Sequence, residues 1–435
     1  MLKDKLKIII SEFQSMPLPG LLERELVVDL AAVGSPVNKV ITIVGPRRAG
    51  KTFYLFQIMK RLVAGGRDIR DFVYVNFEDE RILPMTAADL QLIVDAWREL
   101  HGRQDRPLLF LDEVQNINGW ETFVRRLADQ GYAVFVSGSN SRLLSSEIAT
   151  ALRGRTLTYT LLPFSFREFL AIRQVAPERS LPFGPERHRA QQLFESYLAL
   201  GGYPEVIQLD NAQTRTRVLQ DYFHAVFFRD LVERYRIKHS EILRQWLDIL
   251  VKNCAALVSL RKVENDFRSR GMAVSVATLA AFARYVEEIF FGFFVEMHAE
   301  SVRKRQINPK KFYLIDLGLH RFLSLGCSAD RGRSLENVVF LELKRQGQKV
   351  NYYRTSTGAE VDFLVQSGGE PRLIQVCHAL DRLATANREK KALQQAMKEL
   401  GLTTGLLLTA ADKADETSAA GTIHIRPVWE WAVAG

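Results

Sequence analysis

The chain is poor in cysteine and in long apolar runs. Its three cysteines, Cys254, Cys327 and Cys377, stand far apart in 435 residues and make no metal-ligand spacing. That pattern argues against a disulfide scaffold or a zinc module and suits a reducing compartment. No stretch holds 18 uninterrupted apolar residues. After Met1-Leu2-Lys3-Asp4-Lys5-Leu6-Lys7 only Ile8-Ile9-Ile10 precede the return of polar residues, too few for a signal-peptide core. Export and membrane spanning are therefore disfavoured, and a cytoplasmic location is expected. What is present is a globular composition, 47% apolar and 25% charged, in a chain too long for one ordinary core, so two to four domains are expected.

The net charge of +9 is unevenly spread. From Asn211 to Lys311 there are 18 Lys and Arg against 11 Asp and Glu, a surplus of seven. A basic middle segment points to a nucleic-acid partner, with an ordinary solvated surface as the equal alternative.

One stretch has a definite chemistry. Ile41-Thr42-Ile43-Val44 reads as a buried strand, Gly45-Pro46-Arg47-Arg48-Ala49-Gly50-Lys51-Thr52 follows as a loop, and Phe53, Leu55, Ile58, Met59 and Leu62 continue with helical spacing. The loop fits the phosphate-binding pattern G-x-x-x-x-G-K-[ST] in the strand–loop–helix context it requires. Its backbone N–H groups would cradle the phosphates of ATP at a helix N-terminus. Lys51 would reach the β- and γ-phosphates, and Thr52 would place a hydroxyl on Mg²⁺.

Downstream, Asp71 to Phe77 reads as a second strand, and Leu108-Leu109-Phe110-Leu111 feeds the acidic pair Asp112-Glu113. In a parallel sheet the C-terminal strand ends share one edge. Asp112 would thus emerge beside the loop and hold the Mg²⁺ shell, with Glu113 as the base for an attacking water. The competing reading is an acidic pair that only ends a strand and caps the next helix. Tyr132 to Val136 is the next strand, and Ser137, Ser139 and Asn140 at its end are candidates to bond the γ-phosphate or the water. Helix capping by Asn140 or Ser141 is compatible with that role.

This order of strands, loop, acidic pair, polar strand end, helix and arginines resembles the AAA+ branch of the P-loop ATPases. The resemblance implies an arginine finger at Arg153 or Arg155 acting on a neighbour's ATP, hence a homo-oligomer. Either arginine could instead serve the negative end of a helix. The runs Gly45–Thr52, Leu111-Asp112-Glu113-Val114-Gln115, Ser137-Gly138-Ser139-Asn140 and Leu152-Arg153-Gly154-Arg155 look like one prokaryotic AAA family. So do Leu162-Pro163-Phe164-Ser165-Phe166-Arg167-Glu168-Phe169 and Gly201-Gly202-Tyr203-Pro204-Glu205. Its members carry a C-terminal domain of otherwise unknown function.

The expected fold is a multidomain α/β chain. A helical lead-in spans residues 1–37, an AAA+ P-loop ATPase core with a parallel sheet 38–165, and a helical lid 166–240. A winged helix occupies 241–305 and a nuclease-like α/β domain 306–435. The winged helix rests on two helices joined by a short turn at Gly271, with Ser275 as N-cap and Ile289 to Val295 as a wing strand. Arg268, Arg270, Thr278 and Arg284 would be its DNA contacts. A module that only packs on the ATPase is the alternative.

In the last domain Glu336, Asp362 and Gln375 resemble the core of restriction-endonuclease-like folds, in which carboxylates bind Mg²⁺ and a lysine stabilises hydroxide. Here the third ligand position is Gln375 and the lysine position is Cys377, neither suited to that chemistry, so the domain is expected to keep the fold without cleaving. Arg388 and Glu389 also match the family pattern. The function expected is Mg²⁺-dependent ATP hydrolysis coupled to DNA binding or remodelling, with branched or junction DNA among the candidate substrates. A nucleotide-switched regulator or scaffold and an ATP-regulated nuclease are the alternatives.

Overall fold

The computed structural model describes every residue except 21, 34–37, 140–149, 325–329, 367, 382 and 435, with no side-chain account of 383–385. Two compact units are present, Met1–Leu162 and Pro163–Gly435. No helix among the described residues is long and apolar enough to cross a membrane.

The first unit is built on a five-stranded sheet of β1 (Val40–Val44), β2 (Phe72–Asn76), β3 (Leu108–Asp112), β4 (Val134–Gly138) and β5 (Thr156–Thr160), in the order β2-β3-β4-β1-β5. Every pairing is parallel, so all C-terminal ends lie on one edge. β1, β3 and β4 are buried at every position, which is why they read as continuous apolar runs rather than alternating ones. α1 (Leu2–Ser15), α2 (Lys51–Ala64), α3 (Gln91–His101) and α4 (Trp120–Asp129) flank the sheet. α2 packs Tyr54, Leu55, Ile58 and Met59 against Ile41, Ile43, Phe72, Phe110 and Phe135. The register puts Val44 beside Gly138, and Asn76 beside Asp112. β4 therefore separates the strand that launches the phosphate loop from the strand that ends in the acidic pair. This is the AAA+ P-loop core expected from the sequence.

The second unit begins with helices Phe166–Ile172, Arg187–Leu200, Pro204–Gln208 and Ala212–His224, the last continuing as a π-helix over Ala225–Glu233. The family motifs around Phe164 and Gly202 meet here. The Phe164 N–H donates to the Gly202 carbonyl at 2.7 Å, and Tyr197 Oη to the Phe164 carbonyl at 2.8 Å. A Cβ on Gly202 would lie 2.5 Å from that same Phe164 oxygen, so only glycine lets the two backbones approach. The Gly202 and Leu319 N–H groups donate to the buried Asp316 carboxylate at 2.6 and 2.9 Å. These motifs are accounted for by packing within the unit.

After helix Ser240–Lys252 come β6 (Ala256–Val258), helix Leu260–Ser269, helix Val276–Glu288, β7 (Gly292–Val295), a short helix Val302–Ile307 and β8 (Lys310–Leu314). Ser259 and Ser275 cap the two middle helices, accepting from Lys262 N–H and Thr278 N–H. β8 pairs antiparallel with both β6 and β7. It thus completes the sheet of the helix–turn–helix segment, although the sequence places it at the start of the last domain.

That last part is a mixed six-stranded sheet of β9 (Lys349–Arg354), β10 (Glu360–Gln366), β11 (Arg372–Val376), β12 (Thr404–Thr409), β13 (Ala414–Ser418) and β14 (Gly421–Pro427). Helix Leu383–Leu400 covers it, burying Leu393, Ala396 and Met397 against Val361, Leu364 and Leu407.

Candidate active site

The Gly45–Thr52 loop leaves β1 and enters α2 directly at Lys51. A Cβ on Gly45 would collide with the Leu161 carbonyl oxygen, so the first loop position must be glycine for the next segment to pass. Gly50 is left-handed at φ 94° and Arg48 at φ 64°, the two bends that curl the loop. Lys51 is buried and folds back, its Nζ donating to the Pro46 carbonyl at 3.1 Å. Arg47 reaches Glu78 at 3.4 Å.

Asp112, at the end of β3, is fully buried and collects three hydroxyl donors. Thr52 Oγ1 donates to Oδ2 at 2.6 Å, Tyr74 Oη donates to the same oxygen at 2.9 Å, and Ser137 Oγ donates to Oδ1. Burial raises the Asp112 carboxyl, and the nearby Glu113 charge adds to this, while the hydroxyls of Ser137, Thr52 and Tyr74 favour the ionised form. Tyr74 itself is pushed upward by burial and by Asp112, so it stays a donor.

Glu113 is in left-handed backbone at φ 54°, an unfavourable conformation for a non-glycine residue. Its N–H donates to Ser137 Oγ at 3.2 Å. Its carboxylate lies 3.5 Å from Lys51 Nζ and accepts from Gln115 Nε2 at 2.5 Å. Burial works to raise this carboxyl, but Lys51, Gln115 and Arg47 outweigh it and hold its pKa below the ordinary glutamate range. Glu113 is therefore held in its ionised form beside the phosphate loop.

Ser139 stands at the far side of this network, its Oγ accepting from Gln115 Nε2 at 3.3 Å. Asn140 lies outside the described residues. Tyr74 and Gln115 have places in the network that sequence reading did not assign. Tyr74 sits two residues before the end of β2, and its partner Asp112 becomes visible only once β2 and β3 are known to pair. The two arginines differ. Arg155 Nε pairs with Asp129 at 2.5 Å, while Arg153 is exposed, in left-handed backbone at φ 49°, with no ion pair among the described residues.

In the second unit the DNA candidates lie on or at the end of neighbouring helices, and each arginine stands beside a carboxylate one helical turn away. Arg268 lies 3.5 Å from Glu264, Arg270 2.8 Å from Asp266, and Arg284 3.6 Å from Glu288. Thr278 Oγ1 is 3.0 Å from the Ser275 hydroxyl of the helix cap. An open groove of about 1060 Å³ runs past the turn, lined among others by Tyr235, Lys238, His239, Arg268 and Tyr285.

Glu336 and Asp362 converge, but on a lysine. The buried Lys311 Nζ, from β8, lies 2.7 Å from Asp362, 2.9 Å from Glu360 and 3.0 Å from Glu336. Gln375 accepts from the Asp362 N–H at 3.1 Å and donates to Glu389 at 2.7 Å. Burial and the Asp362 charge raise the Glu336 carboxyl above the ordinary glutamate range against the pull of Lys311. An ammonium thus fills the space between the acids, supplied by a strand distant in sequence, which no local motif marks. No group of three or more His, Cys, Asp or Glu among the described residues is arranged to hold a metal ion.

Residues 37–170 match the family described as an AAA domain, residues 191–331 a domain of unknown function (DUF8612), and residues 331–431 another (DUF4143). An uncharacterized protein of Methanocaldococcus jannaschii is 34% identical over 405 residues, spanning 91% of this chain and 88% of its own. An uncharacterized protein of Haemophilus influenzae is 28% identical over 340 residues, spanning 78% and 82%. Among solved structures, the Walker-type ATPase of Pyrococcus abyssi aligns at 12% identity with a TM-score of 0.41, over 74% of this chain and 94% of its own. With its phosphate loop and acidic pair in an AAA domain, the chain belongs to the same family as the Methanocaldococcus protein and is a prokaryotic AAA+ ATPase of the P-loop NTPase class.

Proposed function

We propose that the chain hydrolyses ATP with Mg²⁺ at the Gly45–Thr52 loop and uses the cycle to change its grip on DNA. The observation that supports the chemistry is the joint placement of Thr52, Asp112 and Glu113, with Lys51 between loop and base. Thr52 hydroxyl and Asp112 carboxylate are hard oxygen donors 2.6 Å apart, a pair suited to Mg²⁺ that keeps waters and nucleotide phosphates as its other ligands. Thr52 would hold the ion directly and Asp112 through water. When bound, Mg²⁺ neutralises the developing phosphate charge. The loop N–H groups bind the β- and γ-phosphates, and Lys51 leaves Glu113 for the phosphate oxygens. Glu113, released from its partner, accepts a proton from the water that attacks the γ-phosphorus, as the bond to the departing ADP oxygen breaks. Ser139, with Gln115, is placed to orient that water; Asn140 keeps the same candidate role. Arg153, exposed and without an ion pair among the described residues, is the better finger toward a second copy in an oligomer, whereas Arg155 is engaged with Asp129.

The DNA role is supported by the helix–turn–helix segment, in which a helix, a short strand and two helices precede β7 and then, after a short helix Val302–Ile307, β8, an order similar to that of a winged helix. Arg268, Arg270 and Arg284 are exposed, each beside a carboxylate, so DNA phosphates would compete with those carboxylates and binding is expected to be strongly salt-dependent. The same pairing favours a second reading, a nucleotide-switched regulator that assembles without remodelling DNA. The test is ATPase rate and binding across single-stranded, duplex and branched DNA at two salt concentrations, with native mass in parallel. Stimulation by any of them that falls with salt supports the DNA reading. No stimulation and no salt-sensitive binding, with ATP-dependent assembly intact, supports the switch. Mg²⁺-dependent nicking lost in Asp362→Ala would instead assign a nuclease, against the lysine-filled acid cluster.

A further inference from the structure

The first 37 residues carry no motif, yet they supply a buried cation to the phosphate loop. Arg24 lies between α1 and the short turn Leu30–Ala32, and is 7% exposed. Its Nη1 donates to the Ala49 carbonyl at 2.8 Å and its Nη2 to the Leu162 carbonyl at 2.6 Å. Its own N–H donates to Gln57 Oε1 of α2 at 3.0 Å. The surrounding strap is held in turn, with Tyr54 Oη donating to the Leu26 carbonyl at 2.6 Å and the Asp29 N–H to Tyr159 Oη at 3.1 Å. One segment therefore braces the phosphate loop at both ends: Leu161 against Gly45 directly, and Leu162 against Ala49 through Arg24.

We propose that Arg24 is a positioning residue for ATP binding. The peptide between Ala49 and Gly50 is planar and trans, so a carbonyl held toward Arg24 fixes the Gly50 N–H on the opposite side. That N–H belongs to the part of the loop that must meet the nucleotide phosphates. A guanidinium serves this purpose because its rigid fork reaches two carbonyls of separate segments at once and stays charged when buried. A lysine at this place donates from a single nitrogen and has no fixed fork.

The proposal rests on nucleotide binding at Gly45–Thr52, and the experiment separates the two. Fluorescent ATP-analogue affinity, KM and kcat are measured for the full chain, Arg24→Ala, Arg24→Lys and Lys51→Ala. Arg24→Ala is expected to weaken analogue binding by about tenfold or more, and KM to rise more than kcat falls, with Arg24→Lys between it and wild type. Methylguanidinium at tens of millimolar is expected to restore affinity to Arg24→Ala but not to Lys51→Ala. Affinity lost in Lys51→Ala yet within about twofold of wild type in both Arg24 variants overturns the proposal while leaving the ATP site standing. A loss in Arg24→Ala that methylguanidinium does not rescue, with Arg24→Lys folded and wild-type in affinity, overturns it as well.

Discussion

Replacing Glu113 with glutamine tests whether one side chain both restrains Lys51 and serves as the base. The Lys51 and Glu113 charges are 3.5 Å apart and nearly buried. Their attraction is about 5 kcal/mol at an effective dielectric of 20, much of it offset by desolvation. ATP must take Lys51 from this pair and bring its own negative charge toward Glu113. Glutamine keeps the size of the side chain and can still bond Gln115, but it carries no charge. Glu113→Gln is therefore expected to bind ATP about tenfold more tightly, roughly 1.4 kcal/mol, while kcat falls by about 10²- to 10⁴-fold. Calorimetric titration with a non-hydrolysable analogue gives the first number and phosphate release the second. Weaker analogue binding by Glu113→Gln would refute competition for Lys51, and a kcat within about threefold of wild type would refute the base.

Other perturbations separate the remaining readings. Arg153→Ala should lower kcat at least about 10²-fold with analogue affinity within about twofold, whereas Arg155→Ala should cost under about 1 kcal/mol of stability and little rate; the reverse order would make Arg155 the finger. Burial raises the Asp316 carboxyl to about 6 despite N–H donors from Gly202, Leu319 and Gly318. With the unfolded carboxyl near 3.8, the native state holds the extra proton between those values. Its contribution is thus greatest at low pH and falls as pH rises through 6, by at most about 3 kcal/mol. Urea unfolding at pH 4.5 and 7 should show that slope in wild type relative to Asp316→Asn, and a pH-independent difference would count against it. Lys311→Met should destabilise the second unit by about 3–5 kcal/mol by leaving Glu336, Asp362 and Glu360 without their cation, and adding Asp362→Asn should recover part of this; additive losses in urea unfolding would refute the cluster as a unit.

The strand and loop pattern alone determined that the chain grips phosphates. Glycines, a lysine and a threonine within eight residues need only local backbone to form that site, and the apolar run ending in Asp112-Glu113 needs only a parallel sheet to arrive beside it. The caps at Ser259 and Ser275 are equally local, because a helix start is decided within one turn. Tertiary structure decided the rest. Which serine bonds Asp112 depends on β4 lying between β1 and β3, and Tyr74 joins through the pairing of β2 with β3. Arg24 reaches the loop from 25 residues away, bridging Ala49 and Leu162, with no pattern in its own neighbourhood. Lys311 enters the acids of β10 and helix Arg331–Arg345 from β8, occupying the cluster whose lysine position in sequence is Cys377. In both cases the partner of a buried charge is chosen by chain crossings that bring distant segments together, and a motif records only what neighbours in sequence must do.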